Sequence, residues 1–172
     1  MALAPVIAQA LGARDEVAVA RGVQRGVLIT GAVAGAVMLL FLTAGPVLAM
    51  LRQPPEVVPL ATGYVLWSIP GMLPFFAFNM IRQVLQAMKR LGPIVLAVCV
   101  SNVLNVFLNW VLVFGHLGFA PGGVVGSSQG TAISRWVMAA VVLWAAWPVL
   151  RPTLTPWHAE SWRLAPLRRM FA

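Results

Sequence analysis

Three stretches of this chain carry no charged side chain over lengths that soluble domains rarely sustain. The uncharged stretches are residues 26–51, 57–81 and 91–134, which are 26, 25 and 44 residues long. A helix needs about 20 apolar residues to cross the ~30 Å hydrocarbon core of a bilayer. In addition, 60% of all residues are hydrophobic and only 9% are charged, against roughly 25% charged residues in soluble domains. The sequence therefore excludes a soluble globule and predicts an integral membrane protein.

A loop at residues 115–126 divides the longest uncharged stretch, since it contains five glycines, His116 and Pro121. A last apolar run then continues to Leu150 and includes one charge, Arg135. None of these runs shows the two-residue alternation of a membrane β-barrel. The sequence predicts an all-α fold, a polytopic membrane helix bundle with four spans near residues 26–51, 58–81, 91–114 and 127–150.

The two ends of the chain differ from the four-span membrane domain, which we assign to residues 14–150. Residues 1–13 are apolar but too short to cross a bilayer, and they lack the basic segment of a signal peptide. We interpret them as the remnant of a truncated transmembrane helix. Residues 151–172 contain four arginines and two tryptophans. Because indole rings favour the headgroup region, this segment is predicted to be an interfacial tail or linker.

Basic residues are concentrated on one side of the predicted bundle. Ten of the twelve lie in the segment 14–25, the turn 82–90 and the tail, whereas Arg52 alone lies on the other side. The positive-inside rule then places both ends in the cytoplasm of a cell that carries this protein in its inner or plasma membrane. The ten residues are dispersed and form no single stripe with stacking aromatic rings. The net charge of +8 therefore indicates a lipid bilayer as partner and no nucleic acid.

Polar residues inside the spans are informative because hydrocarbon offers them no hydrogen-bond partner. The third span contains Asn102, Asn105 and Asn109 at positions i, i+3 and i+7, which share one helix face. Such amides either join helices or line a wet cavity that receives a polar or cationic substrate. An amide can ligate a cation, but it cannot carry a proton itself.

Prolines and glycines are expected to shape the first two spans. Pro59, Pro70 and Pro74 lie in the second span with the polar residues Tyr64 and Asn79. Because proline leaves a helix carbonyl unpaired, this span is expected to bend, either beside a cavity or as plain curvature. Glycines spaced by four residues in the first span predict a close approach of another helix; they are Gly22, Gly26, Gly31 and Gly35.

The fourth span contains hydroxyl groups and a single charge. Thr131 and Ser134 are expected to bond to carbonyl groups of their own helix. Arg135 lies roughly two turns inside the predicted span. It either snorkels to the outer headgroups or faces the interior of the bundle, where no Asp or Glu lies within any predicted span to pair with it.

Sequence signatures of catalysis are missing. The chain has two histidines, His116 and His158, and the single cysteine Cys99, which are too few for a metal site of the usual ligand types. It has no P-loop, no G-x-S-x-G motif and no pair of carboxylates near the membrane. We expect no enzyme activity, no cofactor and no bound metal other than a coupling cation.

Four segments resemble, in the right order, the N-terminal lobe of the multidrug and toxic compound extrusion (MATE) transporters. LAPVIAQALGARD resembles the cytoplasmic end of the family's second helix, and FNMIRQVLQAMKRLGP resembles the end of its fourth and the start of its fifth. SNVLNVFLNWVLVFG resembles the fifth helix, and GVVGSSQGTAISRWV resembles the start of the sixth. The chain would then be part of a six-helix lobe.

The resemblance implies a multidrug antiporter that exports amphipathic organic cations by alternating access, coupled to H⁺ or Na⁺. It implies a site for a cation such as Na⁺ at the positions of Asn105, Asn109 and Thr131. In the family, an acidic residue of the first helix completes this site, and this sequence contains no match to that helix. It also matches neither most of the second helix nor the second lobe, so we expect a fragment whose partners include those parts. The polar pattern adds three candidates to the binding site: Asn102, Tyr64 and Asn79.

Two alternatives to an antiporter remain open at the level of sequence. A lipid-linked sugar flippase of the same wider superfamily would need a strongly basic cavity, and only Arg135 could serve it here. A non-transporting membrane scaffold or assembly subunit would need no cavity, and its asparagines would only join helices.

The distribution of basic residues predicts the topology directly. A reporter fused after Ala172 is expected to be active in the cytoplasm, and one inserted near Pro121 is expected outside. The reason is that ten basic residues lie on the side of the predicted bundle that carries Ala172, and only one lies on the opposite side. Paired alkaline phosphatase and fluorescent protein fusions at both sites measure this. An external C-terminus would contradict the four-span topology.

Overall fold

The computed structural model describes residues 3–155, and within them the chain is helical with no strand. The prediction of an all-α polytopic bundle is confirmed, since four helical segments are long and apolar enough to cross a membrane. The predicted tail beyond Thr155 lies outside the described residues. The helices are α1 (Leu3–Gly12), α2 (Glu16–Leu42), α3 (Ala44–Met50), α4 (Val57–Ser68), α5 (Met72–Ala87), α6 (Gly92–Leu112) and α7 (Gly123–Leu154).

The first spanning helix, α2, begins ten residues before the uncharged stretch that predicted it. Its start is set by Asp15, whose carboxylate accepts a hydrogen bond of 2.9 Å from the backbone N–H of Ala18. A carboxylate is favoured at this position because it satisfies an unpaired N–H at the positive end of the helix. Arg21 and Arg25 therefore lie on the helix itself, not in a preceding loop. The uncharged stretch predicts the part of α2 that crosses the hydrocarbon, whereas the cap at Asp15 decides where the helix begins.

The second span is broken near its middle. Between α4 and α5 the backbone tightens into a 3-10 turn at Ile69–Gly71. Pro74 lacks the N–H that would pair with the carbonyl of Pro70 in a regular α-helix, which explains the position of the break. The bend expected from the prolines is thus localised to one turn, and it orients the start of α5, which carries Phe75 and Asn79.

The best-buried part of the molecule lies at the end of the bundle that carries the basic loops. Ile7 of α1 is fully buried there, in one cluster with Val23 of α2, Leu85 of α5 and Leu150 of α7. Gln24 is also fully buried, and its side-chain amide donates to the carbonyl of Thr153 in the last turn of α7. That carbonyl has no partner within its own helix, so the glutamine satisfies a group that would otherwise be unpaired.

Helix α7 packs against α2, α4, α5 and α6 and is the centre of the fold. Its approach to α6 is unusually close, because a Cβ on Gly126 would overlap the backbone carbonyl of Leu112. A Cβ on Gly122 would lie 2.8 Å from the same oxygen, and one on Gly130 would lie 3.3 Å from the Cβ of Leu108. We call these three glycines, which lie at the start of α7 and face α6, the glycine seam. Small residues spaced by four allow helix backbones to approach in lipid, where hydrophobic burial provides no attraction between helices.

The predicted role of the glycines in α2 holds for only half of them. Gly22 and Gly26 are buried. A Cβ placed on Gly31 or Gly35, however, would meet no atom of the described residues within 4 Å. The expectation of a close helix approach at Gly31 and Gly35 is therefore wrong for this part of the chain, and the close approach lies in the glycine seam instead.

The glycine seam predicts a sharp difference between two glycine-to-alanine changes. Gly126→Ala should destabilise the fold by about 1–3 kcal/mol, because the added methyl group meets backbone atoms of α6 that cannot move alone. Gly35→Ala is the matched control and should be neutral, since its methyl group enters open space. Thermal unfolding of both variants in detergent micelles measures this, and equal melting temperatures would contradict the seam.

Candidate cation and substrate site

Two of the three asparagines of α6 form a pair. The side-chain N–H of Asn109 donates to the Oδ1 of Asn105 at 3.0 Å, and both side chains are half-buried. The Oδ1 of Asn109 is shielded from solvent and accepts no hydrogen bond from the described residues. An acceptor buried without a partner costs about 1–3 kcal/mol. The pair thus presents one amide oxygen that a cation or a donor group could bind.

The glycine seam brings α7 up to this oxygen. A Cβ on Gly130 would lie 3.4 Å from the Oδ1 of Asn109, so the absence of a side chain keeps the oxygen in contact with α7. Thr131, the next residue, is half-buried, and its hydroxyl makes no hydrogen bond within the described residues. Ser134 behaves as predicted, because its hydroxyl donates to the carbonyl of Gly130 in its own helix at 2.8 Å. Asn105, Asn109 and the first half of α7 therefore form one polar locus.

The other predicted residues are placed differently. Asn102 is exposed, one turn before Asn105 on α6. Tyr64 is 40% exposed on α4. Asn79 is half-buried on α5, and its amide donates to the carbonyl of Phe75 in the same helix at 2.8 Å. Helix periodicity alone grouped the three asparagines of α6, whereas packing separates the paired ones from the exposed one.

Two polar contacts that the sequence analysis missed join α7 to its neighbours. The hydroxyl of Ser101 donates to the carbonyl of Ser134 at 3.0 Å, in a buried position between α6 and α7. The indole N–H of Trp136 donates to the carbonyl of Pro70 at 3.0 Å, which is the carbonyl that Pro74 leaves unpaired. The sequence signal for the second contact was the spacing of Pro70 and Pro74. This spacing identifies the carbonyl of Pro70 as a free acceptor but does not identify the group that donates to it.

Arg135 lies at mid-depth of the membrane. Its neighbour Ser134 contacts Ser101, which is close to the middle of α6. Since α6 has 21 residues and rises about 1.5 Å per residue, its middle is about 15 Å from either end. Moreover, α7 begins at Gly123, so Arg135 is more than three turns inside the helix and deeper than the sequence indicated.

The side chain of Arg135 lies against the second span. A Cβ on Gly71 would lie 3.3 Å from its Cδ, and its guanidinium lies 4.8 Å from the centre of the Phe75 ring. Gly71 and Phe75 are one turn apart in that span. Of the two alternatives for Arg135, this contact with a neighbouring span favours the interior of the bundle over snorkelling to the outer headgroups. A cation–π contact contributes about 0.5–2 kcal/mol, which offsets part of the roughly 2.5–3.5 kcal/mol that a mid-membrane arginine costs.

Comparison with known proteins identifies the family of this bundle. The model of the MatE family matches residues 1–111, which is more than half of the chain and extends from α1 to the end of α6. The chain belongs to the MatE family. The resemblance inferred from the four sequence segments is thereby confirmed, and the bundle is a multi-pass membrane protein.

Curated relatives match a longer part of the chain than the family model does. The chain is 36% identical over 130 residues to a probable multidrug resistance protein NorM of Rhizobium meliloti, a match covering 74% of this chain and 27% of that protein. It is 31% identical to a probable NorM of Halalkalibacterium halodurans over 83% of this chain and 31% of that protein. It is 29% identical to the multidrug resistance protein MdtK of Klebsiella pneumoniae over 84% of this chain and 32% of that protein. The chain thus spans about a third of the length of the curated relatives it matches.

The contact between Trp136 and the break in the second span has a measurable consequence. Trp136→Phe keeps an aromatic ring but removes the N–H that pairs with the carbonyl of Pro70. We expect a loss of about 1–2 kcal/mol of unfolding free energy. Trp144→Phe, at a position 75% exposed on the same helix, is the matched control and should cost less than 0.5 kcal/mol, as is usual for surface changes. Unfolding in mixed micelles measures both, and equal stability of the two variants would refute the role of the bond.

Proposed function

We propose that this chain forms part of the membrane domain of a multidrug exporter in which cation binding at Asn105, Asn109 and Thr131 drives alternating access. The observation that carries the proposal is the Oδ1 of Asn109, which is enclosed against Gly130 and has no partner among the described residues. Membership of the MatE family and the multidrug resistance names of the relatives support the export of drugs. The proposed substrates are amphipathic organic cations, and the proposed location is the plasma membrane with both ends cytoplasmic.

The chemistry of the locus suits a cation as ligand. The Oδ1 of Asn105 and the Oδ1 of Asn109 are acceptors, and the hydroxyl of Thr131 can provide a third oxygen. Neutral oxygens coordinate Na⁺ without a proton change, whereas coupling to H⁺ requires a titratable group, which amides and hydroxyls are not. The three residues alone therefore suit Na⁺, and coupling to H⁺ would require a carboxylate from another part of the transporter.

The position of the locus explains how binding could move helices. Asn109 lies on α6, Thr131 lies on α7, and the glycine seam holds the two helices at backbone contact between them. A cation that bridges the two side chains favours the arrangement in which α6 and α7 are closest. Binding can shift an equilibrium between two states only by the difference in affinity that it has for them. Because no side chains separate the two backbones in the glycine seam, a small shift of one helix changes the distance between the oxygens of Asn109 and Thr131. We expect this change in distance to change the affinity for the cation.

Export by variants of the locus tests this proposal. In the complete reading frame that encodes this sequence, Asn105→Leu and Asn109→Leu are expected to reduce drug resistance to the level of the empty efflux-deficient host. Thr131→Val should give a milder loss, since it removes one oxygen ligand. Val106→Leu, an exposed position on α6 next to Asn105, is the matched control and should keep full resistance. Protein abundance in the membrane is measured in parallel.

Two outcomes would contradict the proposed locus. Normal resistance at normal abundance in Asn109→Leu would show that the amide is not a ligand. If resistance falls only in proportion to abundance, the asparagines merely join helices, at a cost of about 0.6–2 kcal/mol each.

The coupling ion is identified by a separate measurement. Na⁺ should raise the melting temperature of the unaltered protein and not that of Asn109→Leu. A response to pH without a response to Na⁺ would assign coupling to H⁺.

A further inference from the structure

We propose that Arg135 is a receptor for an oxyanion, and that its ligand is the carboxylate of an amphipathic molecule dissolved in the membrane. No function has been assigned to this residue by the family match or by the cation locus. The inference does not depend on drug export, since it concerns binding of an anionic group by a single guanidinium held at mid-depth of the bilayer.

The first step is the lack of a partner for this charge. The guanidinium of Arg135 makes a ring contact with Phe75 and no hydrogen bond or ion pair within the described residues. Within residues 3–155 the acidic residues lie at helix starts and not in the middle of a spanning helix, since Asp15 and Glu16 are at the start of α2 and Glu56 is at the start of α4. A guanidinium has five N–H donors and is always charged, so in hydrocarbon it attracts an acceptor with negative charge.

The second step is that neighbouring residues position the guanidinium while its N–H donors make no hydrogen bond within the described residues. Gly71 leaves room for the methylene chain of Arg135 against the second span, where an alanine would crowd Cδ. The central carbon of the guanidinium lies over the Phe75 ring, 4.8 Å from its centre, and Phe75 is itself 37% exposed. A contact with a ring uses no N–H donor in a hydrogen bond, so the donors at the edge of the guanidinium are available for a second ligand. This edge matches the two oxygens of a carboxylate in a bidentate pair.

The third step relates Arg135 to Thr131, one residue of the cation locus. Thr131 and Arg135 are one turn apart on α7 and therefore share a face of that helix. Phe75 and Asn79 are one turn apart on α5 and likewise share a face. The contact between Arg135 and Phe75 joins these two faces. A molecule bound between them would meet a cation-binding group at one end and an anion-binding group at the other.

Depth decides the source of the oxyanion. Arg135 is level with the middle of α6, about 15 Å from either end of that span, and its guanidinium lies over the Phe75 ring of the second span. The phosphate of a lipid headgroup remains at the membrane surface, whereas a carboxylate on a flexible apolar body can reach this depth once it is paired. The structure therefore favours a carboxylated amphipath over a lipid headgroup.

A pair of fluorescent probes tests the receptor in the full chain in phosphatidylcholine nanodiscs. Pyrenebutyrate carries a carboxylate, and pyrenebutanol has the same ring and chain length without it. Energy transfer from tryptophan to pyrene reports binding of either probe. We expect pyrenebutyrate to bind about tenfold more tightly than pyrenebutanol, which is the gain from a charge-assisted bidentate pair.

Variants identify the group that is responsible for this preference. Arg135→Gln should lower the affinity for pyrenebutyrate about tenfold and leave that for pyrenebutanol unchanged. Arg135→Lys keeps the charge without the planar fork and should lose about threefold. Phe75→Leu should lose a similar factor, because the guanidinium is no longer held. Arg52→Gln, in an exposed loop, is the matched control and should bind as the unaltered protein does.

Three results would overturn the proposal. Equal affinity of the two probes for the unaltered protein would show that the guanidinium is not free to bind a carboxylate. An unchanged affinity for pyrenebutyrate in both Arg135→Gln and Arg135→Lys would place the carboxylate elsewhere. If phosphatidylglycerol in the nanodisc displaces pyrenebutyrate from the unaltered protein only, the oxyanion is a lipid phosphate and the proposed ligand class is wrong.

Discussion

Close backbone contact between α6 and α7 is the interaction on which the rest of this bundle depends. In lipid there is little hydrophobic gain from joining two helices, so they associate through close packing and hydrogen bonds. Gly122, Gly126 and Gly130 provide the packing, and the bond from Ser101 to the carbonyl of Ser134 continues it toward the centre of the membrane. The same contact brings Gly130 against the amide oxygen of Asn109.

Polar side chains inside the bundle are of two kinds. Some donate hydrogen bonds to backbone carbonyls of another helix, and others carry a group that has no hydrogen-bond partner within the described residues. Gln24 satisfies the carbonyl of Thr153, and Trp136 satisfies the carbonyl that Pro74 leaves unpaired at Pro70. These contacts complete the hydrogen bonding of the backbone, as a membrane interior requires. The Oδ1 of Asn109 and the guanidinium of Arg135, by contrast, have no hydrogen-bond partner within the described residues. In our proposals the first of these groups binds a cation and the second binds a carboxylate.

Much of the architecture was predictable because hydrocarbon imposes a simple rule on sequence. Uncharged stretches of sufficient length predict helices, and the helices α6 and α7 begin and end within a few residues of the predicted spans. The start of α2 was missed, because the cap at Asp15 extends the helix through two arginines that the charge rule had assigned to a loop. The glycine packing motif was assigned to α2 alone and the glycine seam was missed, since spacing alone does not reveal which helix face has a neighbour.

The candidate site shows the same division. The sequence alone determined the presence of four membrane helices, the family, and the polar residues that hydrocarbon would not tolerate without a purpose. Tertiary structure decided that Asn105 and Asn109 pair while Asn102 is exposed, that the indole of Trp136 bonds to Pro70 at the break in the second span, and that Arg135 lies over Phe75. The physical reason is that helical periodicity fixes which residues share a face. Only the packing of one helix against another decides whether that face meets lipid, a backbone carbonyl or an aromatic ring.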